Sequence, residues 1–112
     1  MNIMDILRTQ GADIEEIMER FLGDEEFYID CFKEFMLDDH FEALGKALED
    51  QNYDQAFDCA HALKGVAGNL GLLPLYQAVG DIVSSLRTKR FDDLEPLYWV
   101  LVFYRDSYSQ LQ

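Results

Sequence analysis

Cations, prolines and cysteines are scarce in this chain, and each scarcity narrows what it can be. Nine Lys and Arg stand against 22 Asp and Glu, giving a formal net charge of −13. Such a surface repels nucleic acid and anionic membrane, so neither is an expected partner. Only two prolines occur in 112 residues, which leaves several long stretches without a breaker and favours helix throughout. The two cysteines, Cys31 and Cys59, both fall on apolar stripes. Buried, reduced thiols are therefore expected, as in the cytosol. No basic segment followed by a long apolar core opens the chain, so no secretory signal is read and a cytoplasmic setting is expected. The longest apolar run, LYWVLVFY from Leu97 to Tyr104, falls far short of the roughly 20 residues that a membrane span needs.

What remains is ample core material. About half of the residues are hydrophobic, 49%, and 15 are aromatic. The length fits one domain over 1–112 with one core. Met1 opens the chain and the helices make up a full bundle, which suggests a free-standing protein; a monomer is expected. Charge is unevenly spread. From His61 to Arg90 there are four bases, Lys64, Arg87, Lys89 and Arg90, against one acid, Asp81, so that segment is +3 and the rest −16. A basic island in an acidic chain can hold a phosphate-sized anion, although helix-end dipole pairing accounts for part of the pattern at residues 87–90.

Five helices are predicted, preceded by a short apolar segment, residues 3–8, that caps the core. Asp13 and Glu16 have capping-box spacing before a face of Ile14, Ile17, Met18 and Phe21, and Gly23 ends that helix. Asp24 caps a long second helix to about Asp50, with Tyr28, Cys31, Phe32, Phe35, Leu37, Phe41, Leu44 and Leu48 inward and a bend near Asp38–His40 where the stripe shifts. Asn52, with Gln55 three residues on, caps the third. Gly71 suits the left-handed residue past its end, and Pro74 the first turn of the fourth. The fourth uses Leu75, Val79, Ile82 and Leu86. The fifth starts at Asp92–Glu95 and carries Leu94, Leu97, Tyr98, Leu101, Tyr104, Tyr108 and Leu111. Short connections imply antiparallel neighbours. The expected fold is all-α, an antiparallel four-helix bundle with an additional N-terminal helix.

The third helix carries HALKGVAGNLG, from His61 to Gly71. Two glycines inside a helix cost roughly 1 kcal/mol each relative to alanine, so Gly65 and Gly68 need a reason. At about 100° per residue, Ala56, Cys59, Leu63, Val66 and Leu70 form one stripe, the expected core side. His61 points away from it, with Asp54, Asp58, Lys64, Gly65 and Gly68 within about 60°. The two glycines thus read as a clearing beside the imidazole. Close helix packing, the other use of helical glycine, is disfavoured because both lie opposite the stripe. Phe57, four residues back, also tends outward.

A neutral imidazole is a competent nucleophile near pH 7. Phosphoryl transfer needs little from a protein beyond alignment and charge stabilisation. There is no GxxxxGK[ST] loop to hold a nucleotide, and no clear carboxylate cluster for magnesium. A chain able to carry a phosphoryl group but not to bind ATP reads as a relay between other proteins. At these residues the sequence resembles the histidine-containing phosphotransfer (HPt) domains of phosphorelays. The matching features are Cys59-Ala60 before the histidine, lysine three on, glycine four on, a small residue at seven and LG closing the helix. GDEEFYIDCFKEFMLD upstream and Leu75–Arg87 downstream also fit, so the likeness spans about residues 13–110.

The resemblance implies that His61 accepts a phosphoryl group on Nε2 from a receiver-domain aspartate and gives it to another. Response-regulator receivers, or a hybrid sensor histidine kinase, would be the partners. The chain would need no cofactor of its own, the receiver supplying magnesium, and would not be an enzyme with its own nucleotide site. Lys64 would steady the phosphoryl oxygens and Gly65 keep the approach open; Phe57, Gly68, Ser84 and Arg87 would line the docking face. The family often has Gln or Glu at the place of Val83, level with His61, leaving Ser84 or water to orient the ring. The rival reading is a non-phosphorylated helical adaptor that binds through Phe57, His61, Gly65 and Gly68. A metal site at His40 with Asp38, Asp39 and Glu42, or at His61 with Asp58, lacks zinc-ligand spacing and reads as solvated acidic surface.

Overall fold

Helix starts are fixed by side chains that accept the first free amides. In a computed structural model, which describes residues 3–111, the Asp13 carboxylate takes Glu16 N at 3.1 Å, the Asp24 carboxylate takes Phe27 N at 2.9 Å and the Asn52 amide oxygen takes Gln55 N at 3.3 Å. Asn52 also donates to the Gln55 side chain at 3.1 Å. These caps open α2 (Ile14–Arg20), α3 (Glu25–Met36) and α5 (Tyr53–Asn69). The other helices are α1 (Ile3–Thr9), α4 (His40–Glu49), α6 (Leu73–Arg87) and α7 (Leu94–Ser109). Residues 1, 2 and 112 of the expected domain lie outside the described residues.

The fold is all-α. The broken pair α3/α4 forms the first member of an antiparallel four-helix bundle, followed by α5, α6 and α7; α5 packs between α4 and α6, and α7 closes the ring against α6, α3 and α4. The N-terminal addition is two short helices, α1 and α2, which pack on each other and bury Met4, Leu7, Ile14 and Ile17. The core runs the length of the bundle, with Phe32, Leu44, Leu63, Leu75, Ile82 and Leu101 fully enclosed.

Two expectations are corrected. The anticipated bend at Asp38–His40 is a complete break: the Asp38 carboxylate accepts from His40 N at 2.8 Å and sits 2.6 Å from His40 Nδ1, offering the backbone an alternative to the helix. Leu37, expected inside, lies at this break and is 79% exposed. The last helix starts where expected: a 3-10 turn, Phe91–Asp93, leads into it, and Phe91 stacks on Tyr53 with ring centres 3.8 Å apart.

The end of α5 is held firmly, which fixes the helix that carries the histidine. Gly71 adopts φ +69°, and Leu72 N closes back on Ala67 O at 3.0 Å. A Cβ at Gly71 would also lie 2.5 Å from Ile17 Cδ1 of α2. Orphan carbonyls of the last turn find donors from outside the helix. Arg20 Nη1 donates to Gly68 O and Asn69 O, and the buried Tyr28 hydroxyl donates to Leu70 O at 2.6 Å.

Candidate functional site

Small residues decide how α5 sits. Its buried residues are Ala56, Cys59, Ala60, Leu63 and Ala67, and Leu70, which follows its last residue, is buried too. Val66, expected in the core, is 36% exposed. The buried arc also takes in Ala60 and Ala67, next to the side of the helix that meets α6 through Phe57 and Gly68. Gly68 belongs to the same seam: a Cβ there would meet the Tyr76 ring of α6 at 3.2 Å and 3.3 Å. The expectation that Gly68 clears space beside the histidine is therefore corrected. It seats Tyr76. Gly65 differs, since a Cβ built there meets nothing within 4 Å.

His61 is exposed, in a shallow depression with Asp58, Ala62, Gly65, Val66 and Asn69. Among the described residues its ring makes no hydrogen bond, and its one ring contact is with Phe57, centroids 6.0 Å apart and planes at 68°. Phe57 in turn lies under Arg87, whose guanidinium carbon is 5.5 Å from the ring centre. On the other side, Lys64 Nζ sits 5.5 Å from the centre of the Tyr76 ring, and its stem passes Gly80. Neither Lys64 nor Arg87 has an ion pair among the described residues. Both cations are supported by aromatic faces, which hold them without neutralising them.

The α5–α6 register follows from these contacts. Phe57 faces Arg87, Lys64 faces Gly80 and Gly68 faces Tyr76, so residue 83 lies level with His61. That residue is Val83, 4% exposed and without a hydrogen-bonding side chain. Ser84, expected near the ring, lies instead in a depression on the α7 side of α6 with Asp81, Ser85, Arg90, Asp93, Pro96 and Leu97. The basic island is split the same way: Arg87 joins the histidine face, while Arg90 bonds Thr88 and lines the α6–α7 depression.

Tyr76 was missed in the sequence because its stripe reads as part of an ordinary amphipathic helix. Its partner Gly68 was the signal, a glycine facing an aromatic one helix away. A surface groove of about 750 Å³ between α4 and α7, reaching Tyr53 at the start of α5, does not include His61. It presents Glu42, Glu49, Glu95 and Trp99 but no histidine or cysteine. His40 stands apart from both places, paired with Asp38.

A helical bundle that raises one bare imidazole from a central helix, between two unneutralised cations, has the architecture of a phosphotransfer module. The family model of the Hpt domain matches residues 28–111, α3 to α7 and three quarters of the chain, and the chain belongs to that family. Hpt domains are phosphotransfer modules of two-component signalling rather than classical enzymes, and they work with receiver domains and kinases. No curated protein and no solved structure gives a match. No helix among the described residues is long and apolar enough to cross a membrane.

Proposed function

We propose that His61 is the phosphoacceptor of a relay in the cytoplasm, taking a phosphoryl group from one receiver domain and passing it to another. In the first step the Nε2 lone pair attacks phosphorus of a receiver aspartyl phosphate; the P–N bond forms, and the P–O bond to the aspartate breaks, freeing its carboxylate. In the second step a carboxylate oxygen of the next receiver attacks the same phosphorus and the P–N bond breaks. Magnesium on the receiver offsets charge at the aspartate. This chain contributes an accessible ring and nearby positive charge.

The observation that supports this reading most is the combination at one helix face of an exposed His61, open space at Gly65 and the unpaired Lys64 and Arg87. Lys64 would move from the Tyr76 face onto the phosphoryl oxygens, exchanging a cation–π contact for a charge-assisted one. Gly65 would admit the receiver. Phe57, Gly68 with its covering Tyr76, and Arg87 would form the rim against which it docks. Ser84 faces the α7 side, which leaves it outside this arrangement.

Phosphotransfer profiling tests the proposal. Purified receivers of the source organism, each charged with labelled phosphate, are mixed with the full chain. One or more should transfer label to the chain in an acid-labile, base-stable form. A chain that binds receivers but takes no label would be the helical adaptor instead.

A further inference from the structure

We infer that Phe57 is the positioning residue of the His61 imidazole, its ring fixing the orientation that a hydrogen-bonding side chain would otherwise set. This rests on the relay reading above.

An exposed histidine has two soft side-chain torsions, and docking against a freely turning ring must first select the productive orientation. A hydrogen bond to the second ring nitrogen would do so, but the α6 residue level with His61 is the apolar Val83. Lys64 is drawn off toward Tyr76, and Gly65 carries no side chain. Phe57 remains. Side chains on a helix lean toward its N-terminus, over the residue four positions back, and Phe57 is that residue. The rings meet at 6.0 Å with planes 68° apart, within the range of favourable edge-to-face pairs.

A positioning group must itself be fixed. Phe57 is half-buried on the α5–α6 seam, and the Arg87 guanidinium is 5.5 Å from its ring centre. The order of support is thus Arg87 on Phe57, then Phe57 on His61. This differs from a hydrogen bond in one respect. An aromatic contact restrains the plane of the imidazole and leaves both nitrogens free, so the ring can turn one nitrogen to phosphorus and keep the other in water.

The test uses the full chain and its cognate phosphorylated receiver in single-turnover transfer, with the receiver concentration varied. Phe57→Leu should lower the saturating rate by about tenfold while leaving helicity intact, as expected for a misaligned reacting group. Phe57→Tyr, which keeps the ring, should stay within about twofold of the parent. Labelling of the parent by phosphoramidate, a small donor that needs no docking, reports separately whether the His61 ring is reactive. The His61 ring protons should show aromatic ring-current shifts in the parent and in Phe57→Tyr but not in Phe57→Leu. An unchanged saturating rate in Phe57→Leu, or a change confined to the half-saturating concentration, overturns the positioning role, as does the absence of those ring-current shifts in the parent. If no receiver labels the parent while phosphoramidate does, the relay reading itself fails, and that outcome is distinct from the others.

Discussion

Lys64 rests its ammonium 5.5 Å from the centre of the Tyr76 ring, and no carboxylate among the described residues pairs with it. A lysine stored on an aromatic face keeps its charge available, and releasing it forfeits only about 0.5–1 kcal/mol at an exposed site. A charge-assisted bond to a phosphoryl oxygen is worth roughly 1.5–3 kcal/mol, so transfer of the ammonium to the phosphoryl group is downhill. Lys64→Ala should therefore slow transfer or shorten the phosphohistidine lifetime by about fivefold or more. Single-turnover rates and label decay measure both. If neither changes, Lys64 has no part in the chemistry.

The two glycines of α5 should answer differently to the same substitution. Gly65→Ala adds a methyl group to open space and gains helix propensity of roughly 1 kcal/mol, raising the melting temperature by about 4 °C. At Gly68 the new methyl group would press the Tyr76 ring from 3.2 Å, offsetting much of that gain. Gly65→Gln should leave helicity intact or slightly raised and slow transfer by filling the approach to His61. Thermal denaturation of the two alanine variants checks the first claim; equal stabilisation would show that Tyr76 does not need the space at Gly68. Normal transfer by Gly65→Gln would remove the clearing from the mechanism.

Stability should fall in alkali through two buried phenols. Burial pushes the Tyr28 hydroxyl well above its ordinary value, with Tyr108 adding to the rise, and burial pushes Tyr108 up to about 12. In the unfolded chain both ionise near pH 10. The folded state therefore holds more protons than the unfolded state above that pH. The stability these phenols contribute is fully present below pH 10 and is lost as pH rises toward 12 and beyond. Urea unfolding at pH 8, 10 and 11 should show a declining midpoint over the last interval. Tyr28→Phe should cost about 1–3 kcal/mol at pH 8, because Leu70 O loses its buried donor. A flat pH response together with a neutral Tyr28→Phe would contradict this account of the α5 terminus.

The two thiols should separate kinetically. Burial raises the Cys59 thiol above its ordinary value, with the Asp58 and Asp38 charges adding to the effect, whereas Cys31 is half-buried. Iodoacetamide at pH 8 should modify Cys31 first and reach Cys59 only after unfolding. Comparable rates at the two positions would place Cys59 nearer the surface than described.

Much of this arrangement was legible from local chemistry. Asp13, Asp24 and Asn52 cap their helices through the expected third-residue amides, and Gly71 takes the left-handed position past α5. Local signals fail where two helices meet. Ala56, Cys59, Leu63 and Leu70 of the expected α5 stripe are buried, but Val66 is exposed and the buried Ala60 and Ala67 were not read, since small residues give little hydrophobic signal of their own. Tyr76 became meaningful only once the α5–α6 register put it beside Gly68, whereas Val83 already reads as level with His61 in the sequence. The shift of the stripe placed the bend at Asp38–His40 but not its completeness, which comes from the hydrogen bonds between Asp38 and His40 that replace a helical turn.

The most direct measurement is transfer of labelled phosphate from a cognate phosphorylated receiver to the parent chain and to His61→Gln. The parent should take an acid-labile label and the variant none, with both proteins equally helical and His40 still in place. Label that persists in His61→Gln would put the acceptor elsewhere and contradict the account at its centre.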